Sequence, residues 1–166
     1  SNFNNKIEIS YLPSLYSDDI NLKNFYESRI HKSDIIFCSR ISKKNLLKSS
    51  VPKDKVWCVG TKNFGINNGI FYNYKGEDYY QQRTSMQSGI MMENEALKID
   101  WGKRFINLIE MVMDKDFTVP IFTDSRKFIS QDCRHLTRAG AKYFAEKFNE
   151  DDSFVLRKIL YQPSED

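Results

Sequence analysis

The chain has 166 residues, the length of one ordinary domain. Apolar residues make up 40% and charged residues 28%, which supports a packed core and excludes disorder throughout. With 25 basic against 22 acidic side chains the net charge is only +3, too small an excess to mark a nucleic-acid binder.

No run approaches the roughly 18 apolar residues of a membrane span. Ser1 to Asn5 is polar, so no leader is legible, and the start at Ser rather than Met predicts a processed or truncated chain. Cys38, Cys58 and Cys133 contain no Cys-x-x-Cys pair and only two histidines accompany them, so no metal or other cofactor is expected. Cys38 and Cys58 sit in apolar runs and read as buried strand residues. Cys133 reads as a loop residue, since nothing near it marks a thiolate.

In chain order, Lys6 to Tyr11 alternates Ile7 and Ile9 with Glu8 and Ser10, a strand pattern. Asp18 or Asp19 then caps a helix through about Ile30, with His31 on its surface. Asp34 to Cys38 is a short continuous apolar run, read as a fully buried parallel strand. Ser42 to Ser50 is a helix candidate with Leu46 and Leu47 facing inward. Lys55 to Gly60 is a second buried strand. It opens into a loop, Thr61 to Tyr80, long enough to suggest a functional role. Arg83 to about Asp100 reads as a helix with the Met91-Met92 pair as core filler, and Phe105 to Val112 as a strand. Phe117 to Phe122 and Lys127 to Ser130 form a hairpin around Thr123-Asp124-Ser125-Arg126. The last helix follows Thr137, with Ala141, Phe144, Ala145 and Phe148 at helical spacing. Phe154 to Tyr161 is an apolar tail expected to pack back on the sheet.

Strands alternating with helices predict a single α/β domain with a mostly parallel sheet. Ligands in such sheets bind beyond the carboxyl ends of the strands. The loops after Cys38, after Gly60 and around Asp132 are therefore expected on one face.

Asp132 and His135 carry the chemistry. Three residues apart at a loop-to-helix junction, they allow a carboxylate to hold one imidazole nitrogen while the other faces a cleft, the orienting half of a Ser-His-Asp site. From spacing alone the pair reads first as a capping or loop contact, because no nucleophile accompanies it. Tyr72, Tyr74, Tyr79 and Tyr80 read equally as a sugar-stacking surface or a packing patch. Arg83 reads first as a solvated surface residue and second as an anion contact.

Four stretches carry a family resemblance. SQDCRHLTRAGAKYFAEKF (130–148) resembles the last conserved block of the SGNH (GDSL-like) hydrolases, with its Asp-x-x-His and following helix. VPIFTDSRKFIS (119–130), VWCVGTKNFG (56–65) and YYQQRTSMQ (79–87) resemble upstream segments in the expected order. The chain is most similar to the SGNH domains of bacterial polysaccharide O-acetyltransferases, including those fused behind membrane acyltransferase domains. The resemblance implies a three-layer α/β/α, flavodoxin-like fold lacking its first strand. It also implies one SGNH-like domain over residues 1–166, incomplete at its N-terminus.

The activity implied is that of an ester hydrolase or O-acetyltransferase acting on acetylated bacterial surface glycans. Its partners would be an acylated carbohydrate or acetyl donor, without nucleic acid. The compartment would be the periplasm or cell envelope if the chain is fused to a membrane acyltransferase, and otherwise the cytoplasm. His135 would be the general base and Asp132 its orienting partner. Asn63, Ser39 and Arg40 are the substrate-binding candidates. The family's Gly-Asp-Ser block is absent, and Thr123-Asp124-Ser125 lies in the wrong order to replace it. The nucleophilic serine is therefore expected outside these residues. The alternative is a catalytically silent SGNH-like domain that binds glycan or a partner.

Overall fold

The computed structural model describes residues 8–12, 19–61 and 75–150, the last two by backbone alone. It is a mixed α/β structure whose described strands form a three-stranded parallel sheet and a separate two-stranded antiparallel one.

Helix α1 spans Ile20–Lys32. Asp19 caps it, its Oδ1 accepting from the N–H groups of Asn21 and Leu22 at 2.8 and 3.3 Å. Such a cap contributes about 1 kcal/mol. Arg29 and Lys32 place positive charge in the last turn, where the helix dipole favours it. Glu8, which pairs with Arg29, belongs to the segment expected as a strand. Glu8 to Tyr11 is not one: Ile9 and Tyr11 are almost fully exposed, so no buried face stabilises the alternation. Lys6 and Ile7 lie outside the described residues.

Strands β1 (Ile36–Ser39) and β2 (Val56–Val59) pair in parallel, Ile36 opposite Val56 and Ser39 opposite Val59. Helix α2, Lys43–Leu46, and a 3-10 turn, Lys53–Lys55, lie between them. Strand β2 is central and buried, as expected. Among the described strands β1 is an edge, and the expectation of full burial fails: Cys38 points into the core while Phe37, on the other face, is 52% exposed. Helix α2 is one turn, capped by Ser42, and ends at Leu46, which is buried. Leu47, the next residue around, points out, against expectation.

Helix α3 is a single turn, Glu77–Tyr80. Residues 62–74 of the long loop, with Asn63, Tyr72 and Tyr74, lie outside the described ones. Tyr79 and Tyr80 pack on Phe122, with ring centroids at 5.0 and 5.5 Å, and the Arg126 guanidinium lies over the Tyr80 ring. These two tyrosines belong to a packing patch.

The helix expected from Arg83 starts later. Strand β3, Arg83–Ser85, pairs antiparallel with β5, Thr118–Pro120, and α4 runs Ser88–Trp101. Once paired, Thr84 is buried between exposed neighbours, the alternation of a strand. Arg83 locks the pairing. Its Nε donates to Thr118 Oγ1 at 2.7 Å, a terminal nitrogen donates to Val112 O at 3.0 Å, and Asp114 pairs with it at 2.7 Å. Arg83 is thus bound internally. Met92 is exposed rather than core filler.

After a 3-10 turn, Gly102–Arg104, strand β4 holds only Phe105–Ile106, parallel to β2. The strand expected to continue to Val112 stops because Asn107 turns the chain, its Oδ1 accepting from Glu110 N at 3.4 Å. The backbone then curls over Ile109, whose carbonyl accepts from Val112 N and Met113 N. The hairpin tip forms where expected. Thr123 N donates to Lys127 O and Arg126 N to Thr123 O, both at 2.8 Å, and Phe122 bridges Phe128. Thr118 to Pro120, taken for hairpin strand, pairs with β3 instead.

Helix α5, Arg138–Glu150, follows Thr137 as expected. Its inward face is Gly140, Tyr143, Phe144 and Phe148, whereas Ala141 and Ala145 are exposed. The predicted stripe is therefore rotated by about one residue.

Three clusters make the core of the described residues, the smallest being Ile121 and Phe122 with Tyr79 and Phe128 against them. Ile30, Leu46, Val51, Leu97 and Trp101 close over Cys38, Val56 and Cys58 on one sheet face. The Trp101 indole N–H is satisfied by Ile41 O at 2.7 Å. Ile109, Val119, Ile129 and Phe144 bring α5 against the hairpin. Among the described residues no helix is long and apolar enough to cross a membrane. The tail 154–161 lies outside them.

Candidate functional site

The loop between hairpin and α5 is closed at its base. Ser130 bridges Leu136, and Thr137 N donates to Ile129 O at 2.9 Å. Thr137 then caps α5: its Oγ1 accepts from Gly140 N at 3.0 Å and its hydroxyl donates to Phe128 O. Gly140 lies directly on the hairpin backbone, where a Cβ would fall 2.1 Å from Ile129 O. Only glycine admits this approach, and it fixes α5 relative to the loop.

Within the loop, Asp132 Oδ1 accepts from Arg134 N at 3.0 Å and His135 N at 2.8 Å, a local turn typical of Asp. Its other oxygen, Oδ2, lies 2.5 Å from His135 Nδ1. Ser130 Oγ adds a longer contact of 3.4 Å to Oδ1. The His135 ring contact, followed by the two backbone N–H groups, holds the Asp132 carboxyl well below the usual carboxylate range. With an ionised carboxylate at Nδ1, that nitrogen carries the proton and Nε2 is left as the acceptor, a tautomer assigned from the hydrogen bond. The His135 side chain is 80% exposed and that of Asp132 54%.

Cys133, between them, turns inward. It takes a left-handed backbone, φ 64°, and is buried. Burial first, then the Asp132 charge, pushes its thiol up, so it is a packed thiol rather than a nucleophile. Cys38 and Cys58 are likewise buried, with thiols raised by burial, and none of the three cysteines is in a disulfide.

Ser39 and Arg40 stand at the carboxyl end of β1. Arg40, at φ 52°, terminates the strand by donating its N–H to Val59 O at 2.9 Å. Its guanidinium holds Glu93 of α4 with two bonds, 2.6 and 2.9 Å. Ser39 is exposed. These two residues are fastened to β2 and α4, while Asp132 and His135 are fastened to the hairpin and α5. Asn63 is outside the described residues.

One feature at the sheet's carboxyl edge escaped the sequence reading. Asn94 of α4 is 3% exposed. Its Oδ1 accepts from Thr61 N at 3.0 Å and its Nδ2 donates to Asn107 Oδ1 at 3.0 Å. Gly60 passes so close that a Cβ would meet Asn94 Oδ1 at 2.7 Å. Glu93 and Asn94 thereby tie together the ends of β1, β2 and β4. The signal was present: Asn94 falls on the inward stripe of Ile90, Leu97 and Trp101, where an apolar residue is the default. Among the described residues no group of three or more His, Cys, Asp or Glu is placed to hold a metal ion.

No protein-family model matches the chain, and comparison with curated proteins and with solved structures gives no significant match.

Proposed function

We propose that the chain is an SGNH-type ester hydrolase or O-acetyltransferase domain, of three-layer flavodoxin-like architecture, acting on acylated bacterial glycans. The observation that supports this reading is the Asp132–His135 pair. One carboxylate oxygen is held by two backbone N–H groups and the other engages Nδ1 at 2.5 Å, leaving Nε2 outward. In this reading Nε2 takes the proton of a serine hydroxyl as that oxygen attacks the ester carbonyl. It then returns the proton to the departing sugar oxygen, leaving an acyl-serine. Water or a second hydroxyl releases the acyl group. Asp132 fixes the tautomer and stabilises the imidazolium. The serine is not assigned to a described residue.

The exposure of both side chains favours a second reading, a silent glycan- or partner-binding domain, because a working dyad is normally shielded from water. Hydrolysis of p-nitrophenyl acetate by the full-length protein separates the two. The enzyme reading expects His135→Ala to lower kcat by about 10²-fold or more and Asp132→Asn to follow it, the scale of a lost general base. Equal rates for wild type and His135→Ala would leave the binding module.

A further inference from the structure

The arginines of the described residues divide into two groups. Arg29, Arg40, Arg83 and Arg126 each pair with a carboxylate, and Arg104 donates to Lys53 O. Arg134 and Arg138 are exposed, and their guanidinium groups have no hydrogen-bond or ion-pair partner among the described residues. These two flank His135. The nearest acid in sequence, Asp132, is already engaged by His135 and by the backbone N–H groups of Arg134 and His135. Arg138 also opens α5, whose first turn holds no acidic residue. A cation there is disfavoured by the helix dipole, so its placement is a local cost that packing does not explain.

We propose that Arg134 and Arg138 bind an anionic group, a carboxylate or a phosphate, on the carbohydrate presented to His135. The inference rests on the reading of Asp132 and His135 as a carbohydrate site, and names the substrate class as an acidic glycan. Guanidinium groups suit both anions, since their planar donors match two oxygens at once. Their charge also raises the local concentration of an anionic chain beside the imidazole.

The test is binding, so it does not depend on turnover. Trigalacturonate supplies carboxylates, glucose 6-phosphate supplies phosphate, and maltotriose is the neutral control. Each is titrated into the full-length protein by calorimetry and by NMR of the His135 ring. The expected result is that at least one anionic ligand binds more tightly than maltotriose and shifts the His135 resonances, and the arm that does so identifies the anion. Arg134→Gln/Arg138→Gln should weaken that ligand about tenfold, at about threefold for each exposed ion pair. Arg134→Lys/Arg138→Lys, which keeps the charge, should restore part of the loss. Both variants change exposed side chains, and an unchanged amide spectrum away from 130–142 checks the fold. Equal binding of all three ligands, or anion binding that the Gln variant leaves intact, overturns the proposal. If His135→Ala leaves p-nitrophenyl acetate hydrolysis unchanged while trigalacturonate still binds through both arginines, the catalytic reading falls and the anion site stands.

Discussion

Gly140→Ala should destabilise the protein although alanine is the better helix former. The added Cβ would sit 2.1 Å from Ile129 O, 2.8 Å from its carbonyl carbon and 2.9 Å from its Cα. All three are backbone atoms, so no rotamer change relieves the clash. Ordinary contact begins at 3.4 Å, and the carbonyl must retreat by roughly 1.3 Å to reach it. That carbonyl accepts from Thr137 N, while Ile129 N donates to Ile121 O, both at 2.9 Å. Overpacking costs about 1–3 kcal/mol and a lost hydrogen bond about 1 kcal/mol. The helix gains about 1 kcal/mol from alanine. The net is a loss of about 1–3 kcal/mol, or a Tm fall of about 3–10 °C for a chain of this size. Gly89→Ala is the control, because nothing lies within 4 Å of its Cβ position in α4. It should stabilise by about 0.4–1 kcal/mol. Urea unfolding of both variants measures the contrast. If Gly140→Ala matches or exceeds the wild type, the close approach of α5 to the hairpin is wrong, and with it the geometry given to Asp132 and His135.

Two further predictions concern the scaffold. Removing the Asn94 amide should strand the Thr61 N–H in the interior. Asn94→Ala should therefore cost about 1–3 kcal/mol in urea unfolding, with faster hydrogen exchange at Thr61. Exchange at Thr61 that stays slow would contradict the bond. Asp114 accepts from the Thr118 hydroxyl and the backbone of Thr118 and Asp116, and Arg83 stands beside it, so its carboxyl is pulled down to about 2. The fold prefers the ionised form, so this stabilisation is complete above the unfolded carboxylate value of about 4. It is lost as pH falls toward about 2. Asp114→Asn should flatten the fall in stability across that window. A wild-type slope retained in the variant would remove Asp114 from the account.

Much of the candidate site was legible in the sequence because it is local. Asp132 to His135 is a turn closed by its own side chain, and Thr137 caps the helix three residues on. Neither needs a distant partner to be foreseen. The Arg83 segment was misread for the opposite reason. Residues 83–85 become a strand because Thr118 to Pro120 pairs with them and Asp114 holds the arginine. That contact spans more than thirty residues, and no local period announces it.

What the sequence determined by itself is the set of features written over a few residues: a cap at Asp18 or Asp19, the β2 run, the Thr123 to Arg126 turn, and the Asp132–His135 spacing. Hydrogen bonds within one turn and side-chain periodicity decide these. Only the tertiary structure decided that β1 is an edge among the described strands, that Asn94 joins the ends of β2 and β4, and that α5 turns Gly140 rather than Ala141 toward the hairpin. Each depends on which surface meets which across the core, and burial there is a property of pairs of distant segments rather than of either one alone.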